Sequence, residues 1–225
     1  MCGVVAAFNP IGVNMDSFID LLKQSAIRGH HATGISWLEK GMIKSYVKPL
    51  KASLFKLPEI KTTAIIGHCR YSTSDLEFNQ PIIGEKYAIA HNGVVSQISP
   101  ECWELVYGLK TTGKNDTELL LRSFEQDCHP LERFPEASMA VATVLTDRYG
   151  SEIGFFRNGQ RPLWYNYEEE DNVCWVASTK NIFLRTKSLE GLIPVKCDAG
   201  HHYRVNADNG FMVYDLNVEL QDLQV

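Results

Sequence analysis

Cys2 is the residue with the most chemical capacity in this 225-residue chain. Removal of Met1 would leave its thiol and a free α-amine on one carbon, a nucleophile that carries its own base. An α-amine has a reference pKa near ~7.8, so roughly a tenth to a fifth of it is neutral at pH 7 and able to take a proton without burial. A small second residue is common and such cysteines are mostly inert, so the chemistry needs companions. Four short polar clusters stand out: Arg28-Gly29-His30-His31-Ala32-Thr33-Gly34, Gly67-His68-Cys69-Arg70-Tyr71-Ser72-Thr73, His91-Asn92-Gly93 and Asn115-Asp116-Thr117-Glu118. The pairs His30-His31 and His201-His202, with Cys197 four residues before His201, suggest a metal site. They are adjacent pairs far apart in sequence with no acidic support, so no metal is expected.

The surrounding pattern says what must hold these clusters. Residues 4–8 form an apolar strand leading from Cys2 into a core, and after Asn9-Pro10 the residues Met15, Phe18, Ile19, Leu22 and Ala26 recur at helical spacing. Residues 35–38 and 42–47 flank Glu39-Lys40-Gly41 as a hairpin, and 63–71 and 87–90 have strand composition, each ending in a polar cluster. Asn115 with Glu118 three residues on resembles a helix start, with Leu119, Leu120 and Phe124 on its apolar face to about residue 127 and Asp116 in its first turn. Strands return at 139–145, 153–156, 163–167 and 173–177, with turns at Arg157-Asn158-Gly159 and Asp208-Asn209-Gly210; only 180–187 looks helical there. The run Glu168-Glu169-Glu170-Asp171 reads as a solvated turn. Strands outnumber helices and come in hairpins, so the class is α+β, with two antiparallel sheets packed face to face and helices outside.

Composition narrows the function classes. With 44% hydrophobic and 22% charged residues the chain can bury a real core, and no linker or repeat divides it, so residues 1–225 are expected to form one domain. A net charge of −5 without a dense Lys/Arg run argues against direct nucleic-acid binding. No apolar run approaches a membrane span and no secretory leader opens the sequence, so a cytoplasmic protein is expected. Six cysteines without a CxxC read as reduced thiols, mostly buried.

Taken in order with Met1-Cys2-Gly3, the four clusters resemble the class II glutamine amidotransferases, the family of the N-terminal-nucleophile glutaminase domain of amidophosphoribosyltransferase. Asn79-Gln80-Pro81, Gly159-Gln160-Arg161-Pro162-Leu163 and Ala177-Ser178 extend the likeness over most of the chain. The resemblance implies a four-layer αββα sandwich with Cys2 at the end of the first strand, between the sheets. It implies hydrolysis of the glutamine side-chain amide to glutamate and ammonia through a thioester on Cys2, with no cofactor. Asn92 and Gly93 match the oxyanion donors, Arg70 and Asp116 the partners of the substrate's α-carboxylate and α-ammonium, and Arg28 the arginine that positions the cysteine backbone. Tyr71 and Thr73 begin the segment that closes over glutamine in the family. Without the resemblance each has a plainer reading: a turn at Asn92-Gly93, a surface arginine at Arg70, a helix-dipole aspartate at Asp116.

The chain departs from the family at His31, where Asp is usual, and at Ser74, often Gly or His, which bears on loop packing and the lid more than on the nucleophile. Val225 falls about where such glutaminase domains end, so the expectation is a glutaminase subunit that binds L-glutamine and supplies ammonia to a separate synthase. The alternatives are an amidase acting on γ-glutamyl amides and an inactive regulatory homologue.

Overall fold

The computed structural model describes residues 1–72, 77–147, 150–216 and 218. In chain order the elements are β1 (Gly3–Phe8), α1 (Met15–Ser25), β2 (Ala32–Glu39), β3 (Met42–Lys48), β4 (Ala64–Arg70), β5 (Ile82–Ile83) and β6 (Tyr87–Val94). Next come α2 (Trp103–Tyr107), α3 (Thr117–Glu125), α4 (Pro130–Arg133), β7 (Ser138–Asp147) and β8 (Gly150–Arg157). The last are β9 (Trp164–Glu168), β10 (Val173–Ala177), α5 (Lys180–Arg185), β11 (Val195–Lys196), β12 (His201–Asn206) and β13 (Gly210–Asp215). One sheet runs β11-β9-β10-β1-β4-β2-β3 and the other β13-β12-β8-β7-β6-β5, with every pairing antiparallel.

The period of two in each strand builds the layers. Val4, Ala6 and Phe8 of β1, Ala64 and Ile66 of β4, Ala88 and Ala90 of β6, and Ala140, Ala142 and Val144 of β7 meet in the core between the sheets. The alanines keep the two sheets close where the two site-bearing strands face each other. The opposite faces bury against helices: Val5, Ala7, Ile65 and Trp175 pack on Phe18, Leu21 and Leu22 of α1 and on Ile182 and Phe183 of α5. On the far side Ile89, Met139, Val141 and Phe156 pack on Leu119, Leu120 and Leu121 of α3 and on Leu131 of α4. The order is therefore helix, sheet, sheet, helix, the α+β four-layer αββα sandwich expected.

The polar clusters 28–34, 67–72 and 91–93 sit at strand ends, as the sequence suggested, but β6 runs past Ala90. It continues through Asn92, Gly93 and Val94, because these residues keep pairing with Ala140, Met139 and Ser138 of β7. Four other elements were invisible in the pattern. The two-residue strands β5 and β11 exist only through their neighbours, and α2 and α4 are too short to show a helical period.

Candidate active site

β1 lies centrally in its sheet, between β10 and β4, with Gly3 opposite Cys69 and Val4 opposite His68. Two residues past Cys2 it is clamped by Ser178: the Val4 N–H donates to Ser178 Oγ at 2.8 Å, and the Ser178 N–H donates to the Val4 carbonyl at 2.9 Å. Gly3 faces α1, where any Cβ would run into the Ser25 side chain and carbonyl, so a glycine lets the strand end pass under the helix. Cys2 shares the parity of Val4 and so emerges at the end of the layer between the sheets. Its own backbone is held from two sides. Arg28 Nε donates to the Cys2 carbonyl at 2.8 Å, and the Cys2 nitrogen donates to Asn92 Oδ1 at 3.0 Å. Sγ stands 3.9 Å from the Tyr71 carbonyl oxygen. With Met1 in place the Cys2 nitrogen is a peptide N–H; the same atom becomes the α-amine when Met1 leaves, and Met1 is 65% exposed.

Asn92 and Gly93 are positioned by alternation along β6. Asn92 follows Ala88 and Ala90 onto the inter-sheet face, and His91 points the other way, toward α3. Asn92 is buried, and while its Oδ1 takes the Cys2 N–H, its Nδ2 is buried with no hydrogen-bond partner. An unsatisfied buried amide donor costs about 1–3 kcal/mol, so on a side chain that also holds the Cys2 nitrogen it calls for a ligand oxygen. Gly93 adopts φ +154°, and a Cβ there would collide with the Ser138 carbonyl and the His91 ring. His91 ties the strand down: its N–H donates to Gln80 Oε1 at 2.6 Å, Nδ1 lies 3.2 Å from Thr117 Oγ1, and Nε2 lies 3.2 Å from the Ser138 carbonyl. Burial pushes the His91 pKa down against the opposing pull of Asp116, so the ring works as a neutral strut.

Arg70 ends β4 on the same face as His68. Its Nη1 donates to the Phe78 carbonyl and to Asn79 Oδ1, both at 2.8 Å. The same Phe78 carbonyl accepts Asn115 Nδ2 at 2.8 Å, which ties the arginine to the start of α3. Here the structure corrects one expectation: Asp116 occupies the N-cap of α3, not its first turn, and its side chain does not cap the helix. Asn115 Oδ1 receives the Thr117 N–H instead, at 3.1 Å. That frees Asp116 to turn outward, where Oδ2 accepts Val95 N–H at 2.6 Å and Ser96 N–H at 3.4 Å. Glu118 anchors the preceding loop by accepting Thr112 N–H at 2.8 Å and Gly113 N–H at 2.7 Å.

These elements enclose a cleft of about 440 Å³. Cys2, Arg70, Tyr71, Gly93 and Asp116 line it together; Asn92 and Arg28 bond the Cys2 backbone beside it. Thr73 and Ser74 lie outside the described residues. The motifs that suggested metal do not converge: His201 and His202 point to opposite faces of β12, and Cys197 is buried between the sheets. His31 Nδ1 accepts the Ser72 N–H, and His202 Nδ1 lies 3.2 Å from His129 Nε2. No cluster of three or more His, Cys, Asp or Glu among the described residues could hold a metal ion.

No family model matches the chain. Over 222 residues it is 25% identical to the glutamine–fructose-6-phosphate aminotransferase (isomerizing) of Streptococcus pneumoniae, an alignment covering 88% of this chain and 36% of that protein. In structure it is similar to the glutamine phosphoribosylpyrophosphate amidotransferase of Bacillus subtilis, with a TM-score of 0.77 at 20% identity over 97% of this chain and 50% of that one. The fold is that of the class II glutamine amidotransferases. A class II glutamine aminotransferase domain protein from Silicibacter pomeroyi matches at a TM-score of 0.61 and 14% identity over 94% of this chain and 98% of its own. The chain thus spans about a third to a half of the aminotransferase and the phosphoribosylpyrophosphate enzyme. Within this class II fold, sequence reasoning missed His91 and Ser178 as supports and Gln80 as the partner of the His91 backbone. Their signal was present, since each is a polar residue inside a quoted motif, but which face each takes is set by sheet pairing.

Proposed function

We propose that the chain hydrolyses the side-chain amide of free glutamine. The observation that carries this reading is the shared use of Asn92: one end of its amide holds the Cys2 nitrogen, and the other is a buried donor without a partner. With Met1 removed, the α-amine takes the thiol proton and Sγ attacks the amide carbon. The carbonyl oxygen becomes an oxyanion, which Asn92 Nδ2 and the Gly93 N–H receive. Collapse expels ammonia, which takes its proton from the α-ammonium and leaves a thioester on Cys2. Water, deprotonated by the same amine, then releases glutamate and the thiol. Arg70 offers its guanidinium fork to the α-carboxylate. Asp116 takes the α-ammonium on Oδ1, which accepts no hydrogen bond among the described residues. Arg28 fixes the Cys2 carbonyl and hence the direction of the thiol, and Tyr71 adds a further substrate contact.

The aminotransferase relative is named for moving glutamine nitrogen to a sugar phosphate, and it is longer than this chain. By analogy, the ammonia formed here passes to an ammonia-consuming synthase. Glutamate release measured on protein whose intact mass shows Met1 removed tests the reading: Cys2→Ala should abolish it, and activity surviving in that variant overturns the mechanism. A second reading draws on the cleft, whose lining also includes Gln97, Ile98, Ser99, Pro100 and Trp103 beyond the groups assigned to glutamine: an amidase acting on a γ-glutamyl amide. A panel of γ-glutamyl amides separates the two, since preference for substituted amides over glutamine would favour an amidase.

A further inference from the structure

His31 stands where the family resemblance leads one to expect aspartate, and the structure gives the imidazole a definite bond. The Ser72 backbone N–H donates to His31 Nδ1 at 2.9 Å. A peptide N–H can only donate, so this bond fixes Nδ1 as the acceptor and requires a neutral ring. The bond acts on the wall of the cleft: Tyr71 and Ser72 both line it, and the Tyr71 carbonyl is the backbone oxygen 3.9 Å from Cys2 Sγ. The His31 N–H in turn donates to the Arg70 carbonyl at 3.0 Å, so one residue grips the chain on both sides of Tyr71. The Tyr71 ring packs on the His31 ring with centroids 5.1 Å apart.

We infer that His31 is a positioning residue that holds the Tyr71-Ser72 wall of the glutamine cleft through its neutral imidazole and lets go of it when the ring is protonated. An imidazolium carries a proton on both nitrogens, so Nδ1 stops accepting and faces the Ser72 N–H donor to donor. Histidine side chains commonly pass between the two forms near neutrality. The bond is present on the alkaline side of that change and lost on the acid side. Among the described residues, the titratable groups in ring contact with His31 are His30, at a centroid distance of 4.5 Å, and Tyr71. Next to them are Cys2, Arg28, bonded to the Cys2 carbonyl, and Arg70, bonded to Phe78 and Asn79. Aspartate at this position would offer a carboxylate oxygen to the same N–H, whereas the imidazole accepts only while Nδ1 carries no proton.

This inference rests on the glutaminase reading for its effect on activity, but the bond can be tested without it. In full-length ¹⁵N-labelled protein without substrate, the Ser72 amide resonance, followed through a pH titration, should move in step with the His31 ring resonances. In His31→Asn, whose Oδ1 keeps an acceptor near Nδ1, that titration should vanish, and in His30→Asn it should persist. A Ser72 amide that ignores the His31 ring, or that titrates equally in His31→Asn, overturns the inference. In the kinetic arm, KM for glutamine should rise roughly three- to tenfold toward the acid end in the wild type, the worth of one backbone hydrogen bond, and stay level in His31→Asn. An identical rise in His31→Asn overturns it as well. If glutamine is not hydrolysed at any pH, the functional reading fails and the amide titration still decides the bond.

Discussion

Asn92 divides its side-chain amide between two tasks: Oδ1 holds the Cys2 nitrogen at 3.0 Å, and Nδ2 is buried without a partner. The division makes the tasks separable by substitution. Asn92→Asp keeps an acceptor for the Cys2 nitrogen, replaces the donor by a second acceptor, and adds a negative charge where an oxyanion would form. Its kcat should fall about a hundred- to a thousandfold, the usual loss for one oxyanion donor, with little change in KM. Steady-state glutamate release measures both, and a variant that raised KM alone would show that Nδ2 contacts ground-state substrate instead.

Asp116 offers a similar separation. Its Oδ2 accepts the Val95 and Ser96 N–H groups, and in Asp116→Asn the amide oxygen could go on accepting them. What the variant loses is charge. KM for glutamine should rise roughly ten- to a hundredfold, the range of one charge-assisted hydrogen bond, while kcat changes far less. An equal KM in variant and wild type would remove Asp116 from ammonium recognition.

How far the site was legible follows from where each residue gets its orientation. Cys2, Arg70 and Asn92 were readable because each lies at or near the end of a strand: Cys2 just before β1, Arg70 at the end of β4 and Asn92 near the end of β6. Asp116 was legible as a motif member but not as a geometry. The sequence showed a helix start, and only the competition between Asn115 and Asp116 for the first N–H groups decided which one turned outward. His91 and Ser178 were unreadable as supports for a different reason. A buried polar residue in a strand is meaningful only through the group it meets, and Thr117, Ser138 and Val4 come from other elements. The strands β5 and β11 likewise owe their existence to pairing with β6 and β9.

His68 sits directly behind the site on β4, buried, with Nε2 lacking a partner. Burial, with the nearby His91 and Arg70, pushes its pKa down to about 3. The unfolded chain takes up this proton near pH ~6.5, whereas the folded protein resists it until much lower. The stabilising effect is thus fully present above ~6.5 and is lost as pH falls toward about 3. Denaturant unfolding between about pH 6 and 4.5 should show a slope lower in His68→Gln than in wild type by up to about 1.4 kcal/mol per pH unit. Equal slopes would mean that His68 is not held neutral.

Glu118 produces a second acid transition by the opposite route. Burial works to raise its pKa, but the Thr112 and Gly113 N–H groups, together with Arg122 and the Thr112 hydroxyl, outweigh burial and leave it lowered. A carboxylate lowered on folding stabilises above its unfolded value near ~4.3, and that contribution is lost as pH falls through the folded value. Its bonds hold the 112–113 loop that leads into Asn115 and Asp116, so the charge also steadies the ammonium end of the cleft. Glu118→Gln should lose roughly 1–3 kcal/mol of stability at pH 7, because an amide can accept only through one oxygen and turns a donor toward the Gly113 N–H or Arg122. The difference between variant and wild type should shrink as pH falls below the unfolded value near ~4.3 and on through the lowered folded value. Paired urea titrations at neutral pH and in that acid range check this, and a gap that stayed constant with pH would assign the loss to packing, not to charge.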